Sequence, residues 1–239
     1  MKRSFLYLWI FLLIFPLEGQ GKMTFVANNL DYKKIKFHEH TLNCDVTGNY
    51  PQFKSLRVSA EELKDVNKEL DKFVRGLFKR FLSGDDIGKQ VKEDLKTDPE
   101  GDSFDINFKI ARADTKYVSV IFDTYFMPVG GPHGVGYFYA FNYDIEHSRT
   151  VQLRDLFKPG TNYLKQLDYF SNLGLEKKIG TRFYTKDAVS DGTQFTFDKR
   201  GLTIHYNAYE VACYAAGMPE IRIPFKKLKG LIETVGKAQ

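Results

Sequence analysis

The chain has 239 residues, a formal net charge of +5, and 43% hydrophobic and 27% charged residues. That length supports one sizeable core or two small subdomains. The interspersed acids and bases exclude the dense basic stripe that nucleic acid demands, and the nearest basic run, Lys226-Lys227 with Lys229, reads as a solvated helix face.

The first residues read as a targeting signal. Lys2 and Arg3 precede an uncharged run over residues 5–17, Pro16 breaks the helix, and Gly19-Gln20-Gly21 places small residues where a signal peptidase reads. The run is shorter than the roughly 20 residues that span a bilayer. The expectation is a signal peptide over residues 1–21 and an exported chain, periplasmic or secreted, with no stable membrane span after its removal. Cys44 and Cys213 are the only cysteines. An even count in an oxidising compartment makes one disulfide between them the default, with two buried thiols as the alternative.

Residues 33–44 read as a strand, and Val46-Thr47-Gly48-Asn49 as a turn, with Tyr50-Pro51-Gln52-Phe53 leading into a helix. Ser59 with Glu62 forms a capping box. Behind it Leu63, Val66, Leu70, Phe73, Val74, Leu77, Phe78 and Phe81 recur at helical spacing up to Gly84. An acidic connector over residues 94–102 follows. Period-two alternation then appears three times: Phe104, Ile106, Phe108 and Ile110; Val118, Val120, Phe122, Thr124 and Phe126; Tyr137, Tyr139, Phe141 and Tyr143. Three such runs with short links predict an antiparallel meander. A turn at residues 155–160 precedes a second helix carrying Leu164, Leu167, Phe170, Leu173 and Leu175. A hairpin follows over residues 195–206, then a strand over 220–224 and a short basic helix over 225–234. The class is α+β, a mostly antiparallel sheet with segregated helices packed on it.

Few motifs suggest chemistry. The glycines of residues 129–136 precede an aromatic strand rather than a helix, so they predict a wide hairpin connection with glycines at positive φ, not a phosphate loop. His38 and His40 would share a strand face, but no companion pair completes a zinc site, and no metal or cofactor is expected. There is no nucleophile elbow and no cysteine-protease signature around Cys213. Gly131, His133 and Gly134 remain as candidate binding residues. So do Tyr206, Tyr209 and Tyr214, since tyrosines give large amphipathic contact area at low entropic cost.

Gly131-Pro132-His133-Gly134, the strand ending Phe141-Asn142-Tyr143-Asp144 and the run Val151-Gln152-Leu153-Arg154-Asp155-Leu156-Phe157 resemble the extracytoplasmic domain of RsiV-type anti-sigma factors. The same domain precedes the catalytic part of PdaC-type peptidoglycan deacetylases. Residues 201–206, Tyr209-Glu210-Val211-Ala212, Tyr214-Ala215-Ala216-Gly217 and Ile221-Arg222-Ile223-Pro224-Phe225 extend the match. Tyr50-Pro51-Gln52 with the long helix is similar to the companion N-terminal part. The resemblance implies a PdaC-like part over residues 22–110 and an RsiV-like part over 111–239.

It further implies a non-catalytic recognition module of the cell envelope, binding a lysozyme-like protein or a peptidoglycan-derived ligand. The alternatives are an envelope hydrolase acting on peptidoglycan or another glycan, or a secreted host-directed factor using the fold as scaffold. The metal-binding His and Asp motifs of the deacetylase are not matched, so that activity does not carry over. Lysozyme is itself basic, so a mildly basic chain would need a local acidic patch to attract it. Where relatives carry proline before the Tyr-Ala-x-Gly element this chain has Cys213, in keeping with a local staple to Cys44.

Overall fold

Residues 30–41, 44–55, 58–83, 101–180 and 189–233 are described in the computed structural model. β1 (Asp31–Thr41) and β2 (Cys44–Lys54) pair antiparallel from Asp31 opposite Lys54 to Thr41 opposite Cys44. The expected turn at residues 46–49 is therefore the middle of β2. Gly48 serves packing: a Cβ there would lie 2.6 Å from the Phe37 ring and 2.9 Å from Ile106. Asn49 likewise serves a side-chain bond, donating to Asn107 at 2.8 Å.

α1 (Ala60–Ser83) begins on the capping box read from the sequence. The Glu62 amide donates to Ser59 Oγ at 3.2 Å, and the Ser59 amide donates to the Glu62 carboxylate at 3.0 Å. Leu63, Val66, Leu70, Val74 and Leu77 are buried as its inner stripe. The helix carries the chain over to β3 (Asp102–Ala113), which lies parallel to β2. β4 (Tyr117–Met127) and β5 (Val135–Asp144) complete the expected antiparallel meander, and β6 (Arg149–Thr150) adds a two-residue edge. Phe104, Ile106, Val118, Val120, Phe122, Phe126, Phe141 and Tyr143 form one core with the α1 stripe.

A second, three-stranded antiparallel sheet holds β7 (Gln194–Asp198), β8 (Gly201–His205) and β9 (Glu220–Pro224). α2 (Tyr163–Ile179) covers it through Leu167 and Leu175, and Gly174 admits the Ile221 side chain. Leu173, expected on the inner stripe, is 46% exposed. The basic helix expected at residues 225–234 is a single 3-10 turn over Phe225–Leu228, followed by a bridge from Ile232 to Phe157. The observed class is α+β, as expected. A division after residue 110 falls inside β3, whereas the two hydrophobic clusters part between Ile145 and Val151.

The smaller sheet meets the larger one by its β7 edge. Asn142 on β5 donates to the Phe195 carbonyl at 2.8 Å, and Ser119 on β4 accepts the Phe197 amide at 3.0 Å. Ser119 donates in turn to Asn142 at 2.7 Å. Reciprocally, Gln194 accepts the Ala140 amide at 2.8 Å and Asn207 accepts the Phe138 amide at 2.6 Å. Side chains thus satisfy the edge amides and carbonyls that a further strand would otherwise take. At one end of this seam a β-bulge between Ile110 and Arg112 re-aims Arg112. Its guanidinium is buried with the Asp114 carboxylate at 2.7 Å and lies over the Tyr117 and Phe197 rings.

Asn142→Leu keeps the volume of the side chain but leaves a buried carbonyl and a buried hydroxyl without their partner. The expected loss is about 2–4 kcal/mol in urea unfolding, from one to two buried groups left unsatisfied. A loss within a few tenths of a kcal/mol would show that the seam contributes little.

Candidate functional site

The glycine-rich stretch is the connection from β4 to β5, as the aromatic run after it required. Of its glycines only Gly130 adopts positive φ, at 71°. The others are needed for close approach. A Cβ on Gly131 would lie 2.5 Å from the Pro128 side chain, and one on Gly134 would lie 2.4 Å from both the Phe126 carbonyl and the Tyr125 ring. This tight path turns His133 outward, with Nδ1 3.0 Å from the Gly134 carbonyl.

The segment between β8 and β9 comes up against this loop. Tyr214 donates its hydroxyl to the Gly134 carbonyl at 3.0 Å, and its ring stacks on His133 at 4.3 Å and 23°. Tyr209 stands beside Tyr214 at 5.7 Å. A turn closed by the Glu210 amide on the Asn207 carbonyl, and by the Asn207 amide on the Glu210 carboxylate, forces Tyr209 to φ 65°. A bulky residue in the left-handed region stores strain that glycine would avoid. Tyr209 is nonetheless 60% exposed, so that strain goes into displaying a ring. Tyr125, Met127 and Val129 are also exposed, so four of the six exposed large hydrophobic side chains among the described residues belong to this end of the molecule.

The structure therefore brings Gly131, His133, Gly134, Tyr209 and Tyr214 together. Tyr206 does not join them. It is fully buried in the second core with its hydroxyl 2.5 Å from Ser171, and burial pushes its pKa up to about 12. The disulfide expected between Cys44 and Cys213 is not formed. Cys44 is buried at the head of β2, where burial and then the nearby Asp102, Asp45 and Asp105 charges push its thiol up to about 12. Cys213 is exposed beside the tyrosines, at the N-cap of the 3-10 turn that carries Tyr214. His38 and His40 approach the same Asp45 oxygen, at 3.3 and 2.7 Å, on the exposed β1–β2 face. Among the described residues no group of three or more His, Cys, Asp or Glu is arranged to hold a metal ion.

The sequence reading missed a polar line buried in the smaller sheet. Thr196 Oγ1 lies 2.8 Å from His205 Nε2, and His205 Nδ1 lies 3.0 Å from the Glu220 carboxylate, off hydrogen-bond geometry. A hydroxyl, an imidazole and a carboxylate in that order are the parts of an activated nucleophile. Thr196, however, is only 3% exposed and His205 2%, with Phe138 edge-on to the imidazole, so the hydroxyl is not presented to a substrate. Only the strand register, which sets His205 opposite Glu220, reveals the line.

Burial drives the His205 pKa down from 6.5 to about 4; Lys109 reinforces the shift and Glu220 opposes it. The unfolded chain therefore takes up this proton before the native one does. The stabilising contribution is complete above pH 6.5 and is lost as pH falls toward 4, by up to about 3 kcal/mol at 1.4 kcal/mol per unit. Asp123, whose carboxyl burial raises, works in the opposite sense on acidification. Denaturant unfolding across this range should show the decline in the native protein and a flatter profile in His205→Phe. Identical profiles would refute the assignment.

Comparison with known proteins places this geometry in context. Residues 154–226 match the family described as "Protein of unknown function (DUF3298)". The chain is 23% identical over 199 residues to peptidoglycan-N-acetylmuramic acid deacetylase PdaC of Bacillus subtilis, covering 77% of this chain and 38% of that protein. It thus spans well under half the length of that relative. Two crystal structures of DUF3298 family members share the fold. The one from Bacteroides fragilis superposes with a TM-score of 0.59 at 18% identity, covering 87% of this chain and 94% of the other. The one from Pseudomonas aeruginosa gives 0.62 at 17%, covering 88% and 96%. The resemblance read from the sequence is borne out: residues 154–226 match the DUF3298 family, and 199 residues are similar to PdaC.

Proposed function

We propose that the chain is an exported, non-catalytic recognition module of the cell envelope, and that His133, Tyr209 and Tyr214 form its binding face. The observation that carries this reading is Tyr209. The fold holds a tyrosine at φ 65° and leaves it 60% exposed beside Tyr214. Strain retained at an exposed aromatic is an argument for use, since a glycine there would stabilise the turn. Similarity to an enzyme named for acting on peptidoglycan supports an envelope role and a wall-derived ligand, with a lysozyme-like protein as the other candidate. Export through residues 1–21, which lie outside the described residues, belongs to the same proposal. Among the described residues no helix is long and apolar enough to cross a membrane. The buried hydroxyl–imidazole–carboxylate line and the stacked His133 ring give a hydrolytic reading no exposed nucleophile.

Calorimetric titration with solubilised peptidoglycan fragments and with lysozyme tests the proposal. One of them should bind, and Tyr209→Gly should weaken it about tenfold or more, the range of an aromatic anchor. The same substitution should leave the unfolding midpoint unchanged or raised, because it relieves the left-handed strain. Binding to neither, or turnover of wall fragments that vanishes in His133→Ala, would overturn the non-catalytic reading.

A further inference from the structure

Charge separates this face from the rest of the molecule. Residues 125–137 and 207–219 contain no Lys or Arg and a single acid, Glu210, in a chain that is 27% charged. The Glu210 carboxylate is engaged on its own loop, accepting the Asn207 amide at 2.7 Å. An anionic polymer finds no countercharge on these segments, and a basic protein finds no acidic patch to steer it.

What the segments do offer is a cluster of flat rings with polar edges. Tyr214 stacks on His133 at 4.3 Å and lies beside Tyr209 at 5.7 Å. Amphipathic rings present an apolar face and a polar tip to the same ligand. Bare backbone lies on both segments: a Cβ on Gly130 or Gly217 would meet nothing within 4 Å. A protein interface is built differently, with a broad apolar centre of standard size enriched in arginine as well as aromatics.

We infer that this face takes an uncharged chain of pyranose rings, with a sugar C–H face on the exposed Tyr209 ring, the His133–Tyr214 stack beside it, and sugar hydroxyls reaching the exposed backbone of the two loops. Pyranoses match the site on each count. They carry no charge, they expose a C–H face to an aromatic ring, and their rim is made of hydroxyls. Open backbone on both loops, at Gly130 and Gly217, suits an oligomer better than a monosaccharide. This inference rests on the reading of the face as the binding site.

The test titrates the full chain calorimetrically with chitohexaose and cellohexaose, with their shorter homologues, with polyphosphate and with lysozyme, at low and high salt. A neutral oligosaccharide should bind with affinity that rises with chain length and does not change with salt. Tyr209→Gly and His133→Ala should each weaken it about tenfold, while His133→Phe, which keeps a flat ring, should bind within a few-fold of the native chain. Polyphosphate binding that salt abolishes, without oligosaccharide binding, would overturn the ligand class while leaving a recognition module in place. Lysozyme binding alone, lost in Tyr209→Gly, would do the same. If no probe binds, or if the chain self-associates through the tyrosines, both the ligand class and the binding-face reading fall.

Discussion

The contact of Ser119 and Asn142 with the open edge of β7 is the constraint from which the rest of this molecule follows. A strand edge buried without partners costs a desolvated amide or carbonyl at every second residue. Here a hydroxyl and an amide, projecting from one face of the larger sheet, stand in for the missing strand at Phe195 and Phe197. Gln194 and Asn207 perform the same service for β5 from the opposite side. Asn67 on α1 does so again for Phe53, accepting its amide and donating to its carbonyl at 2.8 and 2.9 Å. The protein closes its edges with carboxamides, which supply one donor and one acceptor at strand-like spacing.

This seam fixes where the aromatic face forms. Asn207 bonds to Phe138 at the start of the segment that carries Tyr209 and Tyr214, and Met218 packs over Gly136 near its end. The β8–β9 connection is thereby tied to β5 at both ends, next to the loop that β4 and β5 create. Each sheet has its own core, on the α1 side and the α2 side. The exposed rings belong to neither. They collect where two edges meet, on loops positioned by rigid strands, which is where binding residues concentrate in general. The same seam takes the imidazole of His205 out of water against Phe138, which is why an apparent catalytic line is a structural one.

Local signals in the sequence carried the regular elements. The Ser59–Glu62 capping box and the 3.6-residue stripe behind it set the start and inner face of α1. Strict alternation set β3, β4 and β5, and the bounds of the last strand agree with Glu220–Pro224. What escaped depended on contacts between segments far apart in the chain. Gly48 and Asn49 look like turn residues, yet one makes room for Phe37 and the other bonds to Asn107. Gly131 and Gly134 were expected at positive φ and are instead required by neighbouring atoms. Tyr206, Tyr209 and Tyr214 are alike in composition and differ wholly in environment: the first continues from a buried strand, and the other two sit on a turn. The Cys44–Cys213 pairing followed from cysteine count alone, which carries no geometry. The candidate face was legible as residue types, and its assembly from two loops was not.

The proposed binding face is the one built at the seam, to the exclusion of every other surface. Backbone amide chemical-shift perturbation on the isotopically labelled full chain, titrated with chitohexaose, tests it most directly. Shifts should concentrate at residues 129–136 and 207–218, with α2 and the β1–β2 face unmoved. Shifts centred on the cleft of about 400 Å³ lined by Gln152, Asp191, Thr193 and Gln194 would contradict it.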